Sequence, residues 1–148
     1  MTGETSVRIA PGRLWAGGGS TALVAALAAI VVVLVAHGLF DVPVLAPFGE
    51  GAWGGIGTVA YAVSAAIAAL AATGLLHLLL ITTPRGRSFF ISIMLLVTAI
   101  AVVVPLGLDA DRGARFATAA GNLLIGVVIT GTLSSVARAS VRVSRPLR

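Results

Sequence analysis

Residues 20–40 read STALVAALAAIVVVLVAHGLF and contain no Asp, Glu, Lys or Arg. Three more stretches share that property: 52–84, 88–108 and 116–137. Every formal charge lies between or outside these four runs. A run of about 20 apolar residues is the length that crosses the hydrocarbon core of a bilayer as a helix. Four in succession mark an integral membrane protein. Composition agrees. The chain has 148 residues, of which 58% are hydrophobic and 10% charged, and its mean hydropathy is +1.08. Soluble domains carry about 25% charged residues. Strands of a membrane barrel would alternate polar and apolar residues over about ten positions, and no segment does so. The expected fold is an all-α bundle of four transmembrane helices, with no length left for a soluble domain.

The spans are expected at about 20–40, 58–81, 88–108 and 114–137. Residues 1–19 then form an N-terminal tail and 138–148 a basic C-terminal tail. All ten basic residues are Arg. Arg8, Arg13, Arg85, Arg87, Arg138, Arg142, Arg145 and Arg148 share one side if all four runs cross. The other side holds Arg112 and Arg115 with the acids Asp41, Glu50, Asp109 and Asp111. Basic residues in short loops stay in the cytoplasm, so both termini are expected inside the cell membrane. The first run is too long for a signal peptide and no A-x-A site follows it. Residues 1–13 read as lacking order, and Gly17–Gly18–Gly19 as a flexible lead-in with Ser20 or Thr21 as N-cap. Phe48 and Trp53 suit one interfacial aromatic belt; Trp15, Phe89 and Phe90 suit the other. Pro105 is expected to kink or end the third span.

Polar content concentrates in the even-numbered spans. Thr118, Asn122, Gly126, Thr130 and Ser134 recur every four residues in span four. Tyr61, Ala65, Ala69, Thr73 and His77 do so in span two, with Ser64 and Ala68 alongside. Residues four apart share a helix face. Small residues there let backbones approach, and Ser, Thr and Asn can hydrogen-bond across the gap. The two stripes are therefore expected to point inward. Ser64, Thr73, His77, Thr118, Asn122, Gly126 and Thr130 form the candidate intramembrane site, either as packing or as the wall of a polar path. Asn122 is the best candidate for a buried anchor, because an unpaired amide in hydrocarbon is costly. Spans one and three read as bulky or Ala/Val anchors.

Other chemistry finds little support. His37 and His77 belong to opposite ends of their spans, at depths differing by roughly 15–20 Å at 1.5 Å per residue, so one metal cannot take both. There is no Cys, and no H-E-x-x-H, P-loop or G-x-S-x-G pattern. Neither an enzyme nor a cofactor is expected. The net charge of +5 is a topology signal rather than a nucleic-acid footprint, since the Arg residues lie along one membrane face. Arg138, Arg142 and Arg145 have helical spacing. They are candidates for anionic-lipid contact, against the simpler reading of a topology anchor.

Several short blocks add a resemblance. They are Trp15-Ala16-Gly17-Gly18, Val42-Pro43-Val44-Leu45-Ala46-Pro47, Thr83-Pro84-Arg85 before Phe89-Phe90, Pro105, and Ala117-Thr118-Ala119-Ala120-Gly121-Asn122-Leu123-Leu124-Ile125-Gly126. Over nearly its whole length the chain resembles a family of small four-helix membrane proteins from high-GC Gram-positive bacteria, grouped as a domain of unknown function. The resemblance implies a membrane location and four spans, and no activity. The function expected is that of a non-enzymatic membrane protein acting by helix association with itself or a larger membrane partner. The alternative is a small transporter or channel with a polar path between spans two and four.

Overall fold

The computed structural model describes residues 8–9, 11–42, 44–45 and 55–142. Four helices account for nearly all of them: α1 (Pro11–Phe40), α2 (Gly55–Thr82), α3 (Gly86–Leu106) and α4 (Arg112–Ser140). Two-residue strands flank the set, β1 (Arg8–Ile9) and β2 (Val141–Arg142), paired antiparallel with Arg8 opposite Arg142. Each helix is long and apolar enough to cross a membrane. The expectation of an all-α, four-span bundle holds.

The helices outrun the charge-free stretches. α1 begins at Pro11, not near residue 20. Proline suits the first helical position, where its missing N–H is not needed and its fixed φ is already helical. Residues 11–19, expected in a tail, thus belong to the first helix. Gly17 and Gly18 are not a flexible lead-in. A Cβ on Gly17 would run into Val136 of α4, and one on Gly18 into Thr73 of α2. Both glycines are contact points. At the other end, α4 continues through Arg138 to Ser140 and gives way to β2. Arg142 therefore does not continue the helical face of Arg138, and Arg145 lies outside the described residues.

The turns explain where the helices stop. α1 ends with Asp41 at φ 52°, in the left-handed region, and Val42 N–H donates to Ala36 O at 2.9 Å. Asp tolerates that conformation better than most residues. Between α2 and α3, Gly86 N–H donates to Thr83 O, and Gly86 packs so closely on the Leu79 carbonyl that a side chain would overlap it. Pro105 falls inside the last turn of α3, which ends at Leu106 with Gly107 as C-cap. Asp111 accepts from the Gly113 N–H at 2.8 Å and so caps α4. Arg115 reaches back to the Leu106 and Leu108 carbonyls at the end of α3, at 3.2 and 3.3 Å. That arrangement puts a cation on carbonyls the helix leaves unpaired.

Packing makes α1 the keystone. It runs along both α2 and α4, while α3 packs along α4. The α2–α3 seam is the sparse side, and α2 and α4 meet at few points. α1 buries Leu14, Gly18, Thr21, Ala22, Ala25, Ala29 and Ala36, a small-residue stripe of helical period. This corrects the sequence reading of span one as an anchor. Small side chains bring backbones together, the usual basis of helix association where lipid removes any hydrophobic drive. α3 fits the anchor reading better, burying only Gly86, Phe90, Met94 and Pro105.

Candidate functional site

Among the described residues, Asn122 on α4 is the polar side chain whose hydrogen bonds reach two other helices. Tyr61 of α2 donates its hydroxyl proton to Asn122 Oδ1 at 2.8 Å. Asn122 Nδ2 donates to the Ala101 carbonyl of α3 at 2.7 Å. A carbonyl only accepts, so the amide can be oriented no other way. One side chain thereby ties three helices.

The choice of Ala101 has a cause four residues along the chain. In a regular helix the Ala101 carbonyl would accept from the N–H of residue 105. That residue is Pro105, which has no N–H. The carbonyl it frees would sit unpaired in hydrocarbon, a costly state. Asn122 supplies the missing donor from the neighbouring helix. Sequence reading singled out both residues without joining them. The signal was available, because a proline in a span always frees the carbonyl four positions earlier. Which donor answers it depends on the packing of α4 against α3.

The remaining members of the predicted site behave differently. Their hydroxyls bond mostly within their own helix. Ser64 donates to Ala60 O, Thr73 to Ala69 O, Thr118 to Ala114 O and Thr130 to Gly126 O, all at 2.7–2.8 Å. This bonding to the carbonyl one turn back satisfies a hydroxyl without any partner helix. Of the candidate polar groups, only Asn122 hydrogen-bonds across the gap between spans two and four among the described residues. Thr118 makes one further contact, accepting from the Leu45 N–H at 2.9 Å and pinning the segment after α1 to α4. Two hydroxyls within the spans do not follow the pattern. Ser134 Oγ is buried with no partner, and the Thr98 hydroxyl makes no hydrogen bond among the described residues.

Gly126 has a steric role: a Cβ there would collide with the Thr98 side chain of α3. Thr73 plays the same part against Gly18. His77, near the far end of α2, presents to Trp15 of α1, with ring centroids 6.4 Å apart and planes at 89°. His37 lies exposed in the last turn of α1. Among the described residues no group of three or more His, Asp or Glu side chains could hold a metal. Arg138 is exposed.

The cavity nearest this node is not where the sequence stripes place it. A pocket of about 250 Å³ lies along the sparse α2–α3 seam with α4 as its floor. Tyr61, Ser64, Ala65 and Ala68 line one wall, and Met94, Val97, Thr98 and Ala101 the other. Asn122 and Gly126 lie at the base. Ala68 and Val97 are themselves exposed, so the pocket opens sideways, toward the lipid. The cavity beside Asn122 is a lateral cleft between α2 and α3, not a gap between α2 and α4. A second, more apolar groove of about 470 Å³ runs outside α3 and α4 past Thr98, Gly126 and Thr130.

The sequence pattern of a family of unknown function, DUF6069, matches residues 9–139. That span takes in all four helices, but for the last residue of α4, and the Asn122 node. The chain belongs to the DUF6069 family. No curated protein and no solved structure matches it. DUF6069 membership agrees with the expected resemblance in its four apolar helices and brings no activity to any residue named above.

Proposed function

We propose that this DUF6069 member is a non-enzymatic protein of the cytoplasmic membrane that acts by helix association, with itself or with a larger membrane partner, through α3. The observation that carries the reading is the one-sided packing of α3. Only Gly86, Phe90, Met94 and Pro105 of its residues are buried. Phe89, Leu95, Leu96, Ile100, Val103 and Val104 all face outward. α1 also turns bulky side chains outward, among them Leu23, Leu27, Val31 and Leu34, but it packs along both α2 and α4; α3 runs along α4 alone and meets α2 only sparsely, which leaves its bulky ridge open to a neighbour. The back-bonded hydroxyls favour this reading over a channel, because groups turned to their own helix do not form a chain of donors for a solute or proton. The polar node at Asn122 is what favours the alternative of a small transporter.

Both termini are placed in the cytoplasm in this proposal. Support comes from the Arg bias at the end of the bundle that carries Arg13, Arg85, Arg87 and Arg138. The composition, with Arg as its only basic residue besides His and much Ala, Val and Gly, suits a high-GC Gram-positive source.

The absence of Cys makes the test direct. Single cysteines at Leu96, Ile100 or Val103 should cross-link in native membranes, whereas cysteines at Leu23 or Leu27 of α1 should not. A chain that stays uncross-linked from α3 and purifies alone as a monomer from mild detergent would end the association reading. Orientation is read separately. Ser88→Cys should be shielded from an impermeant thiol reagent in intact cells and Gly107→Cys labelled; the reverse pattern would invert the topology.

A further inference from the structure

We propose that the α2–α3 cleft is a binding site for a lipid-soluble carbonyl compound, of the size of one or two fused rings, reached from within the bilayer. This goes beyond the association reading and does not depend on it.

Three observations meet at this place. The first is shape. The cleft holds about 250 Å³, below the range of about 300–1,000 Å³ typical of drug-sized sites, so it suits a small ring system. It opens sideways between Ala68 and Val97, both exposed. A tail attached to the ring can therefore stay in lipid.

The second is hydrogen-bonding capacity. Asn122 Nδ2 has two protons. One goes to the Ala101 carbonyl and the other has no partner among the described residues. On the opposite wall the Thr98 hydroxyl makes no hydrogen bond among the described residues. Most other hydroxyls along the spans are turned to their own backbone, among them Ser64 in this same cleft. Two donors thus remain at a cavity lined otherwise by Tyr61 and Ser64, whose hydroxyl protons are already committed, by Gly126, and by Ala, Val, Ile and Met. In hydrocarbon a free donor gains from an acceptor and not from a second donor. The ligand chemistry this selects is a carbonyl or quinone oxygen.

The third is depth. Thr98 is 8 residues before the end of α3 (106 − 98), and Ala101, which the Asn122 amide touches, is 5 residues before it (106 − 101). At 1.5 Å per residue these levels lie roughly 8–12 Å below the helix end. In a hydrocarbon core about 30 Å thick that is well inside one leaflet. Ester carbonyls of phospholipids sit at the interface. A carbonyl carried by an apolar ring system can reach this depth.

The test uses the full-length protein in phosphatidylcholine vesicles with a photoreactive azido-naphthoquinone, and menadione as competitor. Saturable labelling confined to peptides of α2, α3 and α4 around Ala68, Val97 and Thr98 is expected. Menadione should displace it, and 2-methylnaphthalene, of similar shape without carbonyls, should not. Thr98→Val keeps the shape and removes the hydroxyl; it should weaken menadione competition about fivefold, the value of one hydrogen bond of roughly 1 kcal/mol. Ala68→Phe fills the exposed mouth and should abolish labelling while unfolding and cross-linking behaviour stay unchanged. Labelling spread over the lipid faces of all four helices without saturation would overturn the proposal. Equal displacement by 2-methylnaphthalene would overturn its carbonyl chemistry.

Discussion

Replacing Asn122 with Ala should cost the bundle stability in proportion to what Pro105 has taken from it. The substitution removes two hydrogen bonds, from Tyr61 and to the Ala101 carbonyl. Bonds between transmembrane helices average about 0.6 kcal/mol and reach about 1.7 kcal/mol. The loss from Asn122→Ala alone is then about 1–3 kcal/mol. Lipid can fill the space left on the open side of the cleft, so the cavity adds little. The informative partner is Pro105→Ala. An alanine at 105 restores an N–H four residues after Ala101, and the helix then satisfies its own carbonyl. In that background Asn122→Ala should cost less by about 0.6–1.7 kcal/mol, the share of one bond. The double-mutant cycle removes whatever Pro105→Ala does by itself. Steric trapping in bicelles reads the unfolding free energy of all four proteins without denaturant. Equal Asn122→Ala costs in both backgrounds, to within about 0.3 kcal/mol, would mean that the two positions are independent. The account of the amide as a substitute for the missing proline N–H would then be wrong.

Substitutions at four further positions probe the packing and the turns. Gly18→Val should force α1 off Thr73 and destabilise by about 1–3 kcal/mol, the usual cost of overpacking. Gly19→Ala, where a Cβ meets nothing, should stabilise by up to about 1 kcal/mol through helix propensity; the same measurement checks both, and similar outcomes would refute the assigned α1–α2 contact. Asp111→Ala should cost about 1 kcal/mol by removing the cap on the Gly113 N–H, while Asp111→Asn should keep most of it. Thr118→Val should release the Leu45 amide and raise its hydrogen-exchange rate, with amides in the α4 interior unchanged; unaltered exchange at Leu45 would show that the contact does not hold the segment.

Charge is what made the fold legible. A single Arg or Asp in hydrocarbon costs enough that its absence over 20 residues is a strong statement, and the four spans follow from it. The same signal cannot mark helix ends. α1 begins at Pro11 with Arg13 inside it, because a helix emerging from lipid can carry charge in its first turns. The role of α1 was hidden for another reason. Its buried positions, such as Ala25 and Ala29, differ from exposed ones such as Leu23 and Leu27 only in size. Membrane helices are apolar on every side, so periodicity of hydrophobicity has no contrast to show. Periodicity of small residues was the readable signal. At the candidate site Asn122 was legible because an amide in a span must find partners. The cleft was not, since its position depends on which helices are neighbours. Whether Ser64 or Thr130 points its hydroxyl at its own backbone or at another helix is a choice of rotamer that the sequence does not record.

The double-sided packing of α1 has a consequence for assembly at the ribosome. α1 and α2 can pair as soon as both are inserted, but the face of α1 that carries Gly17 waits for Val136 of α4. From Phe40 to Ser140 is 100 residues (140 − 40). Synthesis at 5–20 residues per second makes the delay roughly 5–20 s. During that interval a stripe of glycine and alanine faces the membrane unpaired, open to whichever helix arrives first. Helices of other nascent chains compete for it, and so does a second copy from the same message.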